Sequence, residues 1–359
     1  METTDRSDNK LDTRRRPGRG SRLAIGLVLA LAALAIVTAA SPAPGSVRTL
    51  LAARATDQPY LDSYPSSTAL GANGDLDLLL HVPGMSAAKV ALFVPTGYTL
   101  RIDQPSGSDL GLSFGWSGSL GTLGDITASD PSQYTGDPAA QACAPGPHAA
   151  VWLFQLHALG QPEATVPIFV DPTTGAEAAL GAYELQFCLA QPATSSLGLD
   201  GLEFSLDSAL TNPNTQGAYD WRAIVTPAAS DGATDPSAAY ELRSLAPLPA
   251  RLAISARYDR HIRRAIVSGR FIAPATSVNR MPVSLYAKPS TDSHYRYQTW
   301  TRTNANGAFT FRRRISTATR YYVEIEAIGS CSTASTAPAG CRNETLTTIS
   351  STVVRVRKK

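Results

Sequence analysis

One run in this chain is almost wholly apolar over eighteen residues. Leu23–Ala40, LAIGLVLALAALAIVTAA, carries no charge and no proline, and Gly26 is its one glycine. A hydrocarbon core about 30 Å thick needs roughly 20 helical residues to cross it, so this run stands at the lower edge of a membrane span. It is also long for the apolar region of a secretory signal, which runs about 7–15 residues. Arg14, Arg15, Arg16, Arg19 and Arg22 precede it. Positive flanks stay on the cytoplasmic side, so everything beyond Ala40 is expected outside the cytoplasmic membrane. Thr38, Ala39 and Ala40 suit the small residues of a cleavage site. The run therefore reads as either a cleaved signal, giving a secreted protein, or an uncleaved anchor. If uncleaved, it is the membrane contact. Arg14–Arg16 resemble a twin-arginine signal only weakly, because Pro17-Gly18 follow where apolar residues belong.

Around this run the chain divides by composition. Residues 1–22 are polar and basic and are expected to be disordered. Residues 41–69 are rich in Pro, Ser and Ala and read as a linker. What remains is enough for two domains, and its charge changes sign near residue 250. Ser41–Ala250 holds 6 Lys/Arg against 20 Asp/Glu, whereas Arg251–Lys359 holds 19 against 5. Such a break marks a boundary between an acidic domain, 70–245, and a basic one, 251–359, with APLPA at Ala246–Ala250 between them.

Both domains pattern as β. Leu76, Leu78 and Leu80 alternate with Asp75 and Asp77. Val90–Val94, Ala150–Leu156, Val166–Val170, Tyr183–Leu189, Leu202–Leu206 and Arg222–Thr226 are short strand-like runs between turn residues. In the basic domain Tyr321, Val323, Ile325 and Ala327 share one face, with Glu324 and Glu326 on the other. Asn304–Gly307 is a turn, and Phe309 and Phe311 after it point to the core. The fold class expected is all-β, two Ig-like sandwiches behind the export segment.

The basic domain carries Val267-Ser268-Gly269-Arg270, Val283-Ser284-Leu285-Tyr286, Thr301-Arg302-Thr303, Gly307-Ala308-Phe309-Thr310-Phe311 and Tyr321-Tyr322-Val323 in that order. Over residues 251–327 this resembles the carboxypeptidase regulatory-like family, small transthyretin-like Ig-type sandwiches of exported bacterial proteins. The resemblance implies a β-sandwich of about seven strands and no catalysis of its own. The Cys331–Cys341 segment and the heavy arginine content lie outside that pattern. Residues 70–245 are only loosely similar to secreted actinobacterial proteins of no assigned function.

Four cysteines in an exported chain form an even set, so two disulfides are expected, Cys143–Cys188 and Cys331–Cys341. No Cys-x-x-Cys or matching histidine spacing suggests a metal, and no cofactor is expected. Gly111-Leu112-Ser113-Phe114-Gly115 matches G-x-S-x-G. A nucleophile elbow needs a strand before the serine and a helix after it, and the Gly- and Ser-rich residues 116–124 oppose a helix. His81, His148, His157, His261 and His294 fit no zinc spacing. Asn73, Asp75 and Asp77 lack the glycine and the closing glutamate of a calcium loop.

The candidate binding surface lies in the basic domain. On 294–302 strand alternation puts Arg296, Trp300 and Arg302 on one face, and Arg312 and Arg314 stand opposite Phe309 and Phe311. An indole among guanidiniums suits a polyanion or a glycan. Partners are then an anionic cell-envelope polymer or lipid head groups, or the chain's own acidic domain docked on the basic one. Export removes the chain from nucleic acid. The expected role is non-enzymatic, binding or structural, at the cell envelope or after secretion. An exported hydrolase with its site in 70–245 and a scaffold for another exported protein are the alternatives.

Overall fold

The computed structural model describes residues 59–82, 87–117, 120–157, 164–189, 200–229, 233–328 and 343–357. Leu23–Ala40, Cys331 and Cys341 lie outside the described residues. Among the described residues no helix is long and apolar enough to cross a membrane.

The described chain is nearly all strand, as its period-two patterning implies. β1 (Tyr60–Pro65) and β2 (Asn73–His81) pair antiparallel. β3 (Ala87–Val94) and the short β4 (Thr99–Leu100) follow. β5 (Asp109–Ser117) and β6 (Leu120–Ser129) form a hairpin. β7 (Ala150–Leu156), β8 (Ala164–Pro172) and β9 (Tyr183–Cys188) make an antiparallel meander. β10 (Gly201–Thr211) returns to lie between β2 and β5. β11 (Gly217–Pro227) pairs with β3, and β12 (Tyr240–Leu248) pairs with β11.

Read through its ladders, this part is one row: β1-β2-β10-β5-β6-β7-β8-β9-β3-β11-β12. The row rolls over on itself until its ends meet. Ser63 on β1 donates its N–H to Ser244 Oγ on β12 at 3.1 Å, and the two hydroxyls lie 3.0 Å apart. Both serines are fully buried, so each satisfies the other where no water reaches. The inward side chains, among them Leu76, Leu78, Trp152, Phe154, Phe204 and Trp221, form the larger core.

The basic part packs as two sheets. β13 (Arg251–Asp259) and β14 (Arg264–Ile272) form a hairpin. Its turn is held by the Asp259 carboxylate, which accepts from the N–H groups of His261 at 3.0 Å and Ile262 at 3.3 Å. β15 (Pro282–Pro289) and β16 (Arg296–Arg302) pair antiparallel, and β17 (Ala308–Arg313) pairs with β14. β18 (Thr319–Ile328) pairs with β15, and β19 (Asn343–Ser350) and β20 (Val354–Val356) pair with β18. Val267, Phe271, Phe309 and Phe311 from one sheet meet Val283, Leu285, Val323 and Ile325 from the other in a second core. The all-β, sandwich-type expectation holds.

Three details differ from the sequence reading. β1 occupies Tyr60–Pro65, inside the stretch assigned to the linker. Leu61, Asp62 and Ser63 are consecutive and all buried, so β1 carries no polar and apolar alternation to read. β12 runs through Ala246 to Leu248, into the proposed APLPA linker, and the core changes between Leu248 and Ala250. The halves are also bonded together. Leu242–Leu245 of β12 pair in parallel with Asn343–Leu346 of β19.

Candidate functional site

The arginines converge on one end of the basic sandwich. On β13, Leu252, Ile254, Ala256 and Tyr258 turn toward the core, which leaves Arg251, Ser255, Arg257 and Asp259 outside. On β14 the outward set is Arg264, Ile266, Ser268 and Arg270, and on β17 it is Ala308, Thr310 and Arg312. Arg257, Ile266 and Arg312 stand in one cross-strand row. Arg257, Asp259, Ile262, Arg264, Ile266 and Arg312 line a groove of about 660 Å³. Round the edge of the sandwich Arg257 and Asp259 also line a second groove, of about 670 Å³, with Arg260, His261, Arg355 and Arg357.

The opposite sheet continues the charge. Lys288 on β15 faces Arg320 on β18, which faces Arg355 on β20, so three cations lie in cross-strand register. Like charges directly opposite one another repel. Among the described residues that line the grooves the one carboxylate, Asp259, is spent on its own turn and on Arg257 at 3.5 Å. The turn's N–H donors hold that carboxyl below the usual range. Among the described residues Arg264, Arg312, Lys288, Arg320 and Arg355 have no carboxylate partner. The result is a belt of cations that passes from one sheet face, round the edge, to the other.

The predicted surface residues are divided by the fold rather than gathered. Arg312 is on the outer face of β17, as alternation from Phe309 and Phe311 requires, and Arg314 is exposed just beyond that strand. Arg313, between them, turns inward and donates from Nη2 to Gln298 Oε1 at 3.2 Å. Trp300 and Arg302 lie on the other sheet, with the guanidinium 5.7 Å from the indole centroid. A bulge between Leu285 and Tyr286 shifts the β15–β16 register, so Tyr297 faces Tyr286 while Trp300 faces Ser284. Tyr297 therefore shares the outer face with Trp300, where uninterrupted alternation had put Arg296. Arg296 instead pairs with Asp292 at 3.4 Å.

The bulge assembles a group the sequence did not suggest. Tyr286 and Tyr322 stack with centroids 4.8 Å apart. Tyr297 meets Tyr286 at 5.9 Å and Tyr295 meets Tyr322 at 4.9 Å, both nearly perpendicular. The four tyrosines are spread over three strands and a turn, and only the register brings them together.

In the acidic part, Cys143 and Cys188 are bridged, with Cα atoms 5.8 Å apart. The bridge pins the short helix α1 (Pro138–Cys143) to the outer side of β9. Asp137 caps α1 by accepting from the N–H groups of Ala139 and Ala140. Beneath it His148 Nδ1 lies 2.7 Å from Asp171 Oδ2, but its Nε2 lies 3.1 Å from the Ala144 carbonyl. Both ring nitrogens are thus engaged with the protein. Ser113 is in mid-strand on β5, fully buried, and its hydroxyl donates to the Gln155 carbonyl at 3.0 Å. That is no nucleophile elbow. His81 is buried against Tyr60 and Trp116, and burial lowers its proton affinity against the opposing pull of Asp200. Among the described residues no three His, Cys, Asp or Glu side chains are grouped to hold a metal ion.

No family model matches this chain, and no curated protein does. Among solved structures, the D0-D1 domain of intimin aligns at 8% identity over 81% of this chain and 96% of that one, with a TM-score of 0.19. A Parabacteroides merdae β-glucuronidase aligns at 9% identity over 89% of this chain and 32% of that one, with a TM-score of 0.18. Overlaps this weak carry no argument about function.

Proposed function

We propose that this is an exported, non-enzymatic protein that binds an anionic polymer of the cell envelope through the basic part, 251–357. The observation that carries the reading is the cation belt. Lys288, Arg320 and Arg355 are adjacent in register, Arg257 and Arg312 flank Ile266, and of these five only Arg257 has a carboxylate partner among the described residues, an arrangement that a polyanion relieves. The same lack of partners favours an external ligand over the chain's own acidic part. Arginine suits the task because its planar fork meets carboxylate and phosphate oxygens two at a time. Export is supported by Leu23–Ala40 with its basic flank and by the Cys143–Cys188 bridge. The buried Ser113 hydroxyl speaks against the hydrolase alternative.

The test is a titration of the full-length protein with a soluble polyanion at rising salt. Affinity is expected to fall steadily, since exposed charges are screened over about 8 Å at physiological ionic strength. Arg257→Gln combined with Arg312→Gln is expected to weaken binding several-fold. No binding to any polyanion at low salt would end the proposal.

A further inference from the structure

We infer that the outer face of β16, β15 and β18 is a glycan-binding platform and that its ligand is an acidic polysaccharide, a sugar chain carrying carboxylate groups. This rests on the polyanion reading above and names the chemistry of the ligand. Three cross-strand rows make the face. The middle row is aromatic: Tyr297, Tyr286 and Tyr322. About 7 Å along the strands, two residues on, is the cation row of Lys288 and Arg320. Lys288 Nζ stands 5.8 Å from the ring centroid of Tyr295, at the junction of the two rows. On the other side of the aromatic row lies the row of Trp300, Ser284 and Glu324: Trp300, on the edge strand, is 37% exposed, and Glu324, at the far end, accepts from the Ser350 hydroxyl at 2.9 Å.

Each row matches a part of an acidic sugar. The face of a pyranose is lined with C–H groups whose slight positive charge suits the negative face of an aromatic ring. Trp300 and Tyr297 offer rings along β16, at the accessible edge of the sheet. Tyrosine hydroxyls donate and accept, as sugar hydroxyls do. The carboxylates then fall to Lys288 and Arg320, whose mutual repulsion an anion between them removes. A polyphosphate or a lipid head group would use the cations but leave the aromatic row without a role. A neutral glycan would do the reverse. Only a ligand with both features uses the two adjacent rows together.

The experiment compares four soluble polymers on the full-length protein: polygalacturonate, neutral dextran, inorganic polyphosphate and a single-stranded DNA oligomer. Polygalacturonate is expected to bind most tightly. Tyr297→Ala with Trp300→Ala is expected to weaken polygalacturonate about tenfold and to leave polyphosphate unchanged. Lys288→Gln with Arg320→Gln should weaken polygalacturonate to a similar degree. Tyr297→Phe, which keeps the ring, should retain most of the binding and guards against a folding defect in the alanine variant. Unchanged polygalacturonate affinity in the Tyr297/Trp300 variant would overturn this inference while leaving the polyanion proposal standing. Tighter binding of a single-stranded DNA oligomer than of polygalacturonate would also overturn it. Failure of all the anionic polymers to bind would remove both.

Discussion

Two carboxyls in the acidic part titrate far from their usual range. Glu203, on β10, is pushed up to about 7, first by burial and then by the charge of Asp77 on the adjacent strand. Glu184, on β9, is also pushed up to about 7, by burial above all, with Glu177 and Asp171 adding to it and Lys89 and His148 opposing. A carboxyl raised in the folded state holds its proton more tightly there than in the unfolded chain. Its stabilising contribution is complete below the ordinary value of 4.5 and is lost as pH rises toward 7. Glu203→Gln with Glu184→Gln should therefore raise Tm at pH 8 and flatten its decline between pH 5 and 8. A variant Tm no higher than that of the parent at pH 8 would refute this. Other single residues show how far local patterning could be read. Leu110, Leu112 and Phe114 recur at period two along β5, and the G-x-S-x-G match dissolves into that strand. The reason for Gly111 was hidden. Its φ is +142°, and a Cβ there would come within 1.9 Å of the Ser205 carbonyl oxygen. That neighbour is remote in sequence, so no local rule finds it.

Some strand-like runs were legible to within a residue, whereas Leu202–Leu206 and Arg222–Thr226 covered only parts of the longer β10 and β11. Ala150–Leu156 coincides with β7, and Tyr183–Leu189 runs one residue past the end of β9. Elements set by long-range pairing were not. Gly-rich β6 and the parallel partners β12 and β19 carry no clean period of their own. The bulge in β15–β16 mattered most, because one inserted residue reverses every later side chain. It exchanged Arg296 for Tyr297 on the outer face, so the aromatic row was invisible until the register was known. The Cys143–Cys188 bridge was legible, since both cysteines lie within the acidic part. It spans 45 residues and clips α1 over Val151 and Phe169. Chain-entropy arithmetic gives about 4 kcal/mol for a loop of this length. Cys143→Ala with Cys188→Ala should lower the unfolding free energy by about that amount in urea titrations. A loss below about 1 kcal/mol would show that the bridge constrains little.

At the scale of the whole molecule the charge split and the ladder connectivity act together. The change of sign near residue 250 was plain in the composition, and it suggested two domains joined by a linker, with docking of one on the other as one option. Instead β19, from the basic part, lies parallel beside β12 and also packs against β1. β19 thus completes the seam where β1 meets β12. That arrangement makes the protein a natural candidate for fragment complementation. A chain cut after Pro249 leaves one fragment with an uncovered β12 edge and another whose β19 has lost a neighbour. Their net charges are of opposite sign, so they attract at a distance before any strand pairs. Refolded together, the two pieces should recover a single complex by size-exclusion chromatography, and each alone should aggregate or exchange its amide hydrogens rapidly in the orphaned strand. Two fragments that fold independently and ignore each other would mean that the β12–β19 ladder is incidental. If they do reassemble, residue 249 becomes a place to split the protein and make its assembly conditional on two separately delivered halves.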